Sequence, residues 1–122
     1  MSLLDTPLLP TLTRALDLTA QRQTLVSQNI ANIDTPGYHT RDIDFRQELQ
    51  RALPGDEDVS AAAVPFVRQV RGLIERPDGN NVSIDREGLL MAQNQLLFQT
   101  EMQLLHSEFN RLQLAINGGS SQ

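Results

Sequence analysis

The two histidines of the chain, His39 and His106, and the acids near them are the residues whose types could hold a metal ion. The histidines lie in separate segments, so binding would need carboxylate help from Asp42, Asp44 or Glu108. Asp42 and Asp44 also read as an Asp-x-Asp cation pair, and "DEDVS" at 56–60 as a calcium loop. Neither carries the glycine and terminal bidentate glutamate of an EF-hand. Solvated charge is the better reading of both, and a histidine in a loop or on a helix flank usually faces water. No metal is therefore expected.

Other reactive classes fall away on composition. There is no cysteine, hence no thiol nucleophile, thiolate zinc site or disulfide. All ten basic residues are arginine, which leaves no Schiff-base or P-loop lysine. Ser27, Ser60, Ser83, Ser107, Ser120 and Ser121 lack a nucleophile-elbow context. Asn81-Val82-Ser83 is a glycosylation sequon of a length that arises by chance. Four Phe, one Tyr and no Trp leave little from which to build a ring-lined pocket. The residues point away from an enzyme and from any cofactor. A net charge of −5 with scattered arginines has the wrong sign for nucleic acid.

What remains is a group of polar residues at structural positions. "NIANIDTPGY" at 29–38 places Asn29 and Asn32 in the last turn of a helical pattern, where leucine would suit a core. The amides can cap free carbonyls there, or bridge to the backbone of a neighbouring subunit. Thr35-Pro36-Gly37-Tyr38 follows. Proline pushes Thr35 out of helical dihedrals, and Pro36-Gly37 suits the centre of a type II turn, with glycine supplying positive φ. Asp78-Gly79-Asn80 in "PDGNNV" is a second turn signal.

The elements that must position these residues are two long helices. From about 8 to 33, Leu9, Leu12, Leu16, Thr19, Gln23, Val26, Ile30 and Ile33 step by three and four. From about 83 to 116, Ile84, Gly88, Met91, Gln95, Phe98, Met102, Leu105, Phe109, Leu112 and Ile116 do the same. Gln23 and Gln95 occupy seam positions, where an amide can set register and partner number. The expected fold is all-α: the terminal helices paired as a coiled coil around an irregular, turn-rich middle with room for a short strand or arm. Between the helices, 34–46 reads as a turn and extended strip, with Ile43 and Phe45 on one side and Asp42 and Asp44 on the other. "DFRQELQRAL" suits a short second helix, 47–82 a linker and arm with alternation at Val64, Phe66 and Val70, and 117–122 a tail. One rod-like domain of 122 residues results. Pairing would leave Leu18 and Leu25 on one helix, and Leu89, Leu96 and Leu114 on the other, uncovered. Such a remainder implies assembly.

"SQNIANIDTPGYHTRDIDF", with the later "DGNNVSIDRE" and the long "AQNQLLFQTEMQLL" helix, resembles the bacterial flagellar basal-body rod proteins, and among them the proximal rod members. The resemblance takes in both terminal helices and leaves out 54–76. It implies a structural subunit that stacks helically around a central channel, transmits torque and crosses the periplasm. It also implies export unfolded through the flagellar type III apparatus without a cleaved signal peptide. The implied partners are copies of itself, other rod proteins and the rod-base adaptor FliE. Tyr38 would pack into a groove between subunits. The N-terminus carries no signal-peptide pattern, and no segment is long and apolar enough to span a membrane. Two other readings stay open: a sibling rod protein, and a helical adaptor that presents a groove to partner helices. A metal-dependent enzyme ranks behind these.

Overall fold

The computed structural model describes residues 8–51 and 64–120, with side chains placed through 118. The calcium-like "DEDVS" and most of the acidic linker lie outside these residues. Three helices and a two-stranded sheet follow in the order α1 (Leu8–Ala31), β1 (Arg41–Ile43), α2 (Phe45–Arg51), β2 (Val67–Gln69) and α3 (Ile84–Ser120). The 24 residues of α1 and 37 of α3 make rods of about 36 and 55 Å.

The two rods are antiparallel. Asn29 meets Glu87, Gln23 meets Asn94 and Thr19 meets Glu101, so one chain direction ascends as the other descends. α1 stops at Ala31 and not at 33, because Asn32, Ile33 and Thr35 close successive tight turns onto Asn29, Ile30 and Asn32 carbonyls. α3 continues beyond the expected end at 116. Glycine weakens a helix by about 1 kcal/mol but ends one sharply only in the left-handed conformation, and Gly118 does not adopt it.

The apolar core sits on the side of α1 that the sequence reading left bare. Leu18 is fully buried and Leu25 nearly so; with Ile43 they form one cluster, onto which Phe45 and Leu49 pack. The expectation that Leu18 and Leu25 stay uncovered is therefore corrected. The strip after the turn folds back over them, and burying a leucine there is worth about 2 kcal/mol. Leu12, Ala15 and Val26 are buried as well, while Leu16 and Ile30 are half-buried.

β1 pairs antiparallel with β2, Asp42 opposite Arg68, and the Val70 amide extends the ladder to the Thr40 carbonyl at 2.9 Å. The arm therefore contains a strand at 67–69, with Phe66 outside it under the Arg51 guanidinium at 4.7 Å. α2 has only seven residues, too few to persist alone. Asp44 caps it by accepting the Gln47 amide at 3.1 Å, and Phe45 anchors it to the core. Its buried Glu48 accepts from Arg51 at 2.8 Å and from the Phe66 amide at 3.2 Å, with Arg14 of α1 at 3.7 Å.

α3 departs most from the expected seam. Its row facing α1 is polar and strictly heptad: Glu87, Asn94, Glu101 and Glu108 are all buried, ending in buried Leu112. Gln95, Phe98, Met102 and Phe109, expected at the seam, are exposed; Met91 and Leu105 are half-buried. The helical period explains the difference. Phe98, Met102, Leu105 and Phe109 flank the polar row on one side and Leu90, Leu97 and Leu104 on the other. α1 is centred between two apolar flanks, so it covers neither fully.

Candidate functional site

The two turn signals, forty residues apart in sequence, meet. Thr35–Tyr38 closes through the Tyr38 amide to the Thr35 carbonyl at 3.2 Å, and Gly37 holds φ +74°. That is the position at which a type II turn requires glycine. The Gly37 amide donates to the Asp78 carbonyl at 2.8 Å. Gly79, at φ +87°, lies so close that a Cβ there would stand 3.2 Å from the Gly37 Cα. Asp78 shapes its own loop by accepting the Asn80 amide at 3.0 Å.

Three asparagines bind this clasp to the helices. Asn80 is fully buried and donates to the Asn32 and Thr35 carbonyls, both at 2.9 Å, while its oxygen accepts the Val82 amide. Asn32 donates to the Gln28 carbonyl at 2.8 Å and accepts the Thr35 hydroxyl at 3.0 Å, which makes it a cap on the end of α1. Asn29 fills all four of its hydrogen-bonding places. It donates to the Arg41 carbonyl at 2.9 Å and to Glu87 at 3.1 Å, and accepts from the Tyr38 hydroxyl at 2.9 Å and the Arg41 amide at 3.1 Å. The bridge runs to the chain's own strand. Tyr38 is likewise engaged within its own chain, with the Arg41 guanidinium over its ring at 5.6 Å. Pro36 is exposed at the tip.

Asp42 corrects a second expectation. It is buried, and its carboxylate accepts from Arg22 at 2.9 Å, Arg86 at 3.0 Å and the Ile43 amide at 2.8 Å. Burial by itself raises its pKa, but these bonds outweigh burial and hold the group below the ordinary carboxylate value. Asp44 keeps its expected outward position and pairs with Arg68 at 3.2 Å. Of the residues singled out in the sequence, Asn29, Asn32, Thr35, Gly37, Tyr38, Asp78, Gly79 and Asn80 converge here. Asp42 ties in from the side, while Asp44 and Phe45 serve α2.

Sequence reasoning missed Thr40, Asn81, Arg86 and Glu87. Asn81 accepts the Thr40 amide at 2.7 Å, and Arg86 joins Asp42 to Glu87. The signal was the quoted "DGNNVSIDRE" block itself, where Ser83 caps α3 by accepting the Arg86 amide. His39 pairs with Glu75 at 3.2 Å, and His106 is exposed on α3. Among the described residues no group of three or more His, Cys, Asp or Glu could hold a metal ion. A groove of about 860 Å³ beside the sheet is lined by His39, Asp42, Arg68, Arg71, Glu75 and Arg86, most of them already paired with each other or with neighbours. The arrangement holds backbone in place.

Comparison with known proteins places this architecture. The profile of the family described as "Flagella basal body rod protein" matches residues 9–39, which contain α1 beyond its first residue together with the Thr35–Tyr38 turn. The flagellar basal body rod protein FlgB of Salmonella typhimurium is 36% identical over 87% of this chain and 90% of its own length. FlgB of Escherichia coli K12 is 33% identical over the same shares, and FlgB of Cereibacter sphaeroides 37% identical over 86% of this chain and 90% of its own. A relationship of that strength, over nearly the whole of both chains, means that this chain belongs to the FlgB family of flagellar basal body rod proteins.

Proposed function

We propose that the chain is a structural, non-enzymatic subunit of the proximal rod of the flagellar basal body. It assembles with copies of itself and with other rod proteins, transmits torque and lines the export channel. The observation that carries the reading, beyond family membership, is the exposed apolar surface of α3. Leu89, Leu96 and Leu114 are 60, 66 and 73% exposed on one face, and Phe98, Met102 and Phe109 lie open on another. Surface of that extent, on a helix that already has an intramolecular partner, calls for further helices. Torque needs stiffness, which interlocked helices supply through close packing.

In this proposal Asn29, Asn32, the Thr35–Tyr38 turn and Asp78-Gly79-Asn80 serve assembly indirectly. They fix the angle at which α3 leaves the clasp and hence which faces meet neighbours. The whole chain acts as one rod-type domain. FliE at the rod base and the type III export apparatus are the further proposed partners, with the rod crossing the periplasm and export proceeding without a cleaved signal. No helix among the described residues is long and apolar enough to cross a membrane.

Deleting the gene in its host and imaging basal bodies by electron cryotomography tests the reading. Basal structures that stop at the membrane ring, without rod, hook or filament, are expected. Intact rotating flagella would overturn it and favour the helical adaptor instead.

A further inference from the structure

The third rung of the α1–α3 ladder does not balance as a carboxylate. Glu101 is 4% exposed, and both its oxygens lie against the Thr19 hydroxyl, at 2.8 and 3.1 Å. The same hydroxyl lies 2.8 Å from the Ala15 carbonyl. A threonine hydroxyl has one hydrogen, and three acceptors cannot share it. If Glu101 is ionised, the single hydroxyl hydrogen serves either the carboxylate or the Ala15 carbonyl, which keeps its helical amide bond in any case. The other oxygen is then left 2.8 Å from Oγ1 with no hydrogen between them. A neutral acid resolves the count: the carboxyl O–H donates to Thr19 Oγ1, and the Thr19 O–H donates to Ala15.

Among the described residues nothing cationic relieves the ionised form. On α1, Arg14 is held by Asp17 and Glu48, and Arg22 by Asp42; Asp17 would only repel. On α3, the residues one turn away are Leu97, Phe98, Leu104 and Leu105, and the next acid in the polar row is Glu108, bonded to Arg111. His106 is exposed, and no salt bridge reaches Glu101 among the described residues.

We propose that Glu101 is a buried proton site that holds its proton more tightly when α1 and α3 are paired, so that in mildly acid solution closing the helix pair takes up a proton and opening it releases one to water. Desolvation by burial pushes the Glu101 pKa upward, only partly opposed by the Thr19 bond, in the same direction as the hydrogen count. A raised folded-state pKa favours pairing at acid pH, and the advantage is lost as pH rises through that value. Neighbours covering the apolar flanks of α3 would exclude more water and strengthen the link. The inference rests on the helix pair alone and is independent of the rod reading.

The test is the carboxyl carbon shift of Glu101 in the full chain, labelled with carbon-13 and assigned through its own side-chain correlations, followed across pH. A midpoint above that of free glutamate is expected; one at or below it overturns the proposal. Urea unfolding of the wild type and Glu101→Gln gives a second readout, since glutamine keeps a donor toward Thr19 and cannot titrate. The ratio of wild-type to variant unfolding constants should rise from about pH 4 to about pH 8, roughly tenfold for each unit separating the folded and unfolded values. A constant ratio would refute the link.

Discussion

At Gly37 and Gly79 the same backbone conformation has two different causes of intolerance. A Cβ on Gly37 would meet nothing within 4 Å, so alanine there suffers only the strain of positive φ, about 1–2 kcal/mol. At Gly79 the Cβ would in addition press on the Gly37 Cα, and backbone cannot rotate aside as a side chain can. Gly79→Ala should therefore lose more stability than Gly37→Ala, with Gly72→Ala, at φ +82° in open space, as the reference for strain alone. Urea unfolding of the three variants checks the order. Equal losses at all three would mean that the turns tolerate separation and that the clasp is not held by backbone contact. Both glycines were legible in the sequence as turn residues. Their meeting was not, because turn propensity describes four residues and says nothing of what stands opposite.

Asp42 acts between elements: it lies on β1 and is held by Arg22 of α1 and Arg86 of α3. Its folded-state pKa is depressed. The stabilisation it brings is thus fully present above the unfolded value of 3.8 and is lost as pH falls through the folded one. Comparing unfolding midpoints of the wild type and Asp42→Asn from about pH 5 to about pH 2 should show the gap between them closing on acidification. A gap that stays constant would assign the role of Asp42 to shape and not to charge. Period-two alternation set Asp42 on the side away from Ile43 and read it as solvated, whereas both are buried, Asp42 against Arg22 and Ile43 against Leu18 and Leu25 of the same helix. The inference failed because the arginines covering Asp42 lie 20 and 44 residues away.

At the scale of the whole molecule, two leucines that look alike in the sequence have opposite roles. Leu18 is at 0% exposure in the core that β1 and α2 complete, whereas Leu96 is at 66% on the free face of α3. Leu18→Ala should destabilise the isolated chain by about 2–5 kcal/mol in urea unfolding. Leu96→Glu should leave that stability within about 0.5 kcal/mol of wild type yet abolish swimming in complemented deletion cells. Normal motility with Leu96→Glu would remove this face from the assembly surface.

The existence of both long helices, the turn at 35–38 and the absence of any thiol or lysine chemistry follow from the sequence by itself. Each depends on residue type and on spacings of three, four or two, which local sterics translate directly into conformation. Which face of each helix is covered was decided only in three dimensions. α3 carries two apolar flanks around a polar row, and periodicity alone cannot say which of the three meets α1. The choice falls to polar pairs made across the fold: Asn29 with Glu87, Gln23 with Asn94, and Thr19 with Glu101. A buried polar group must find its partner, while an apolar flank can wait for another subunit.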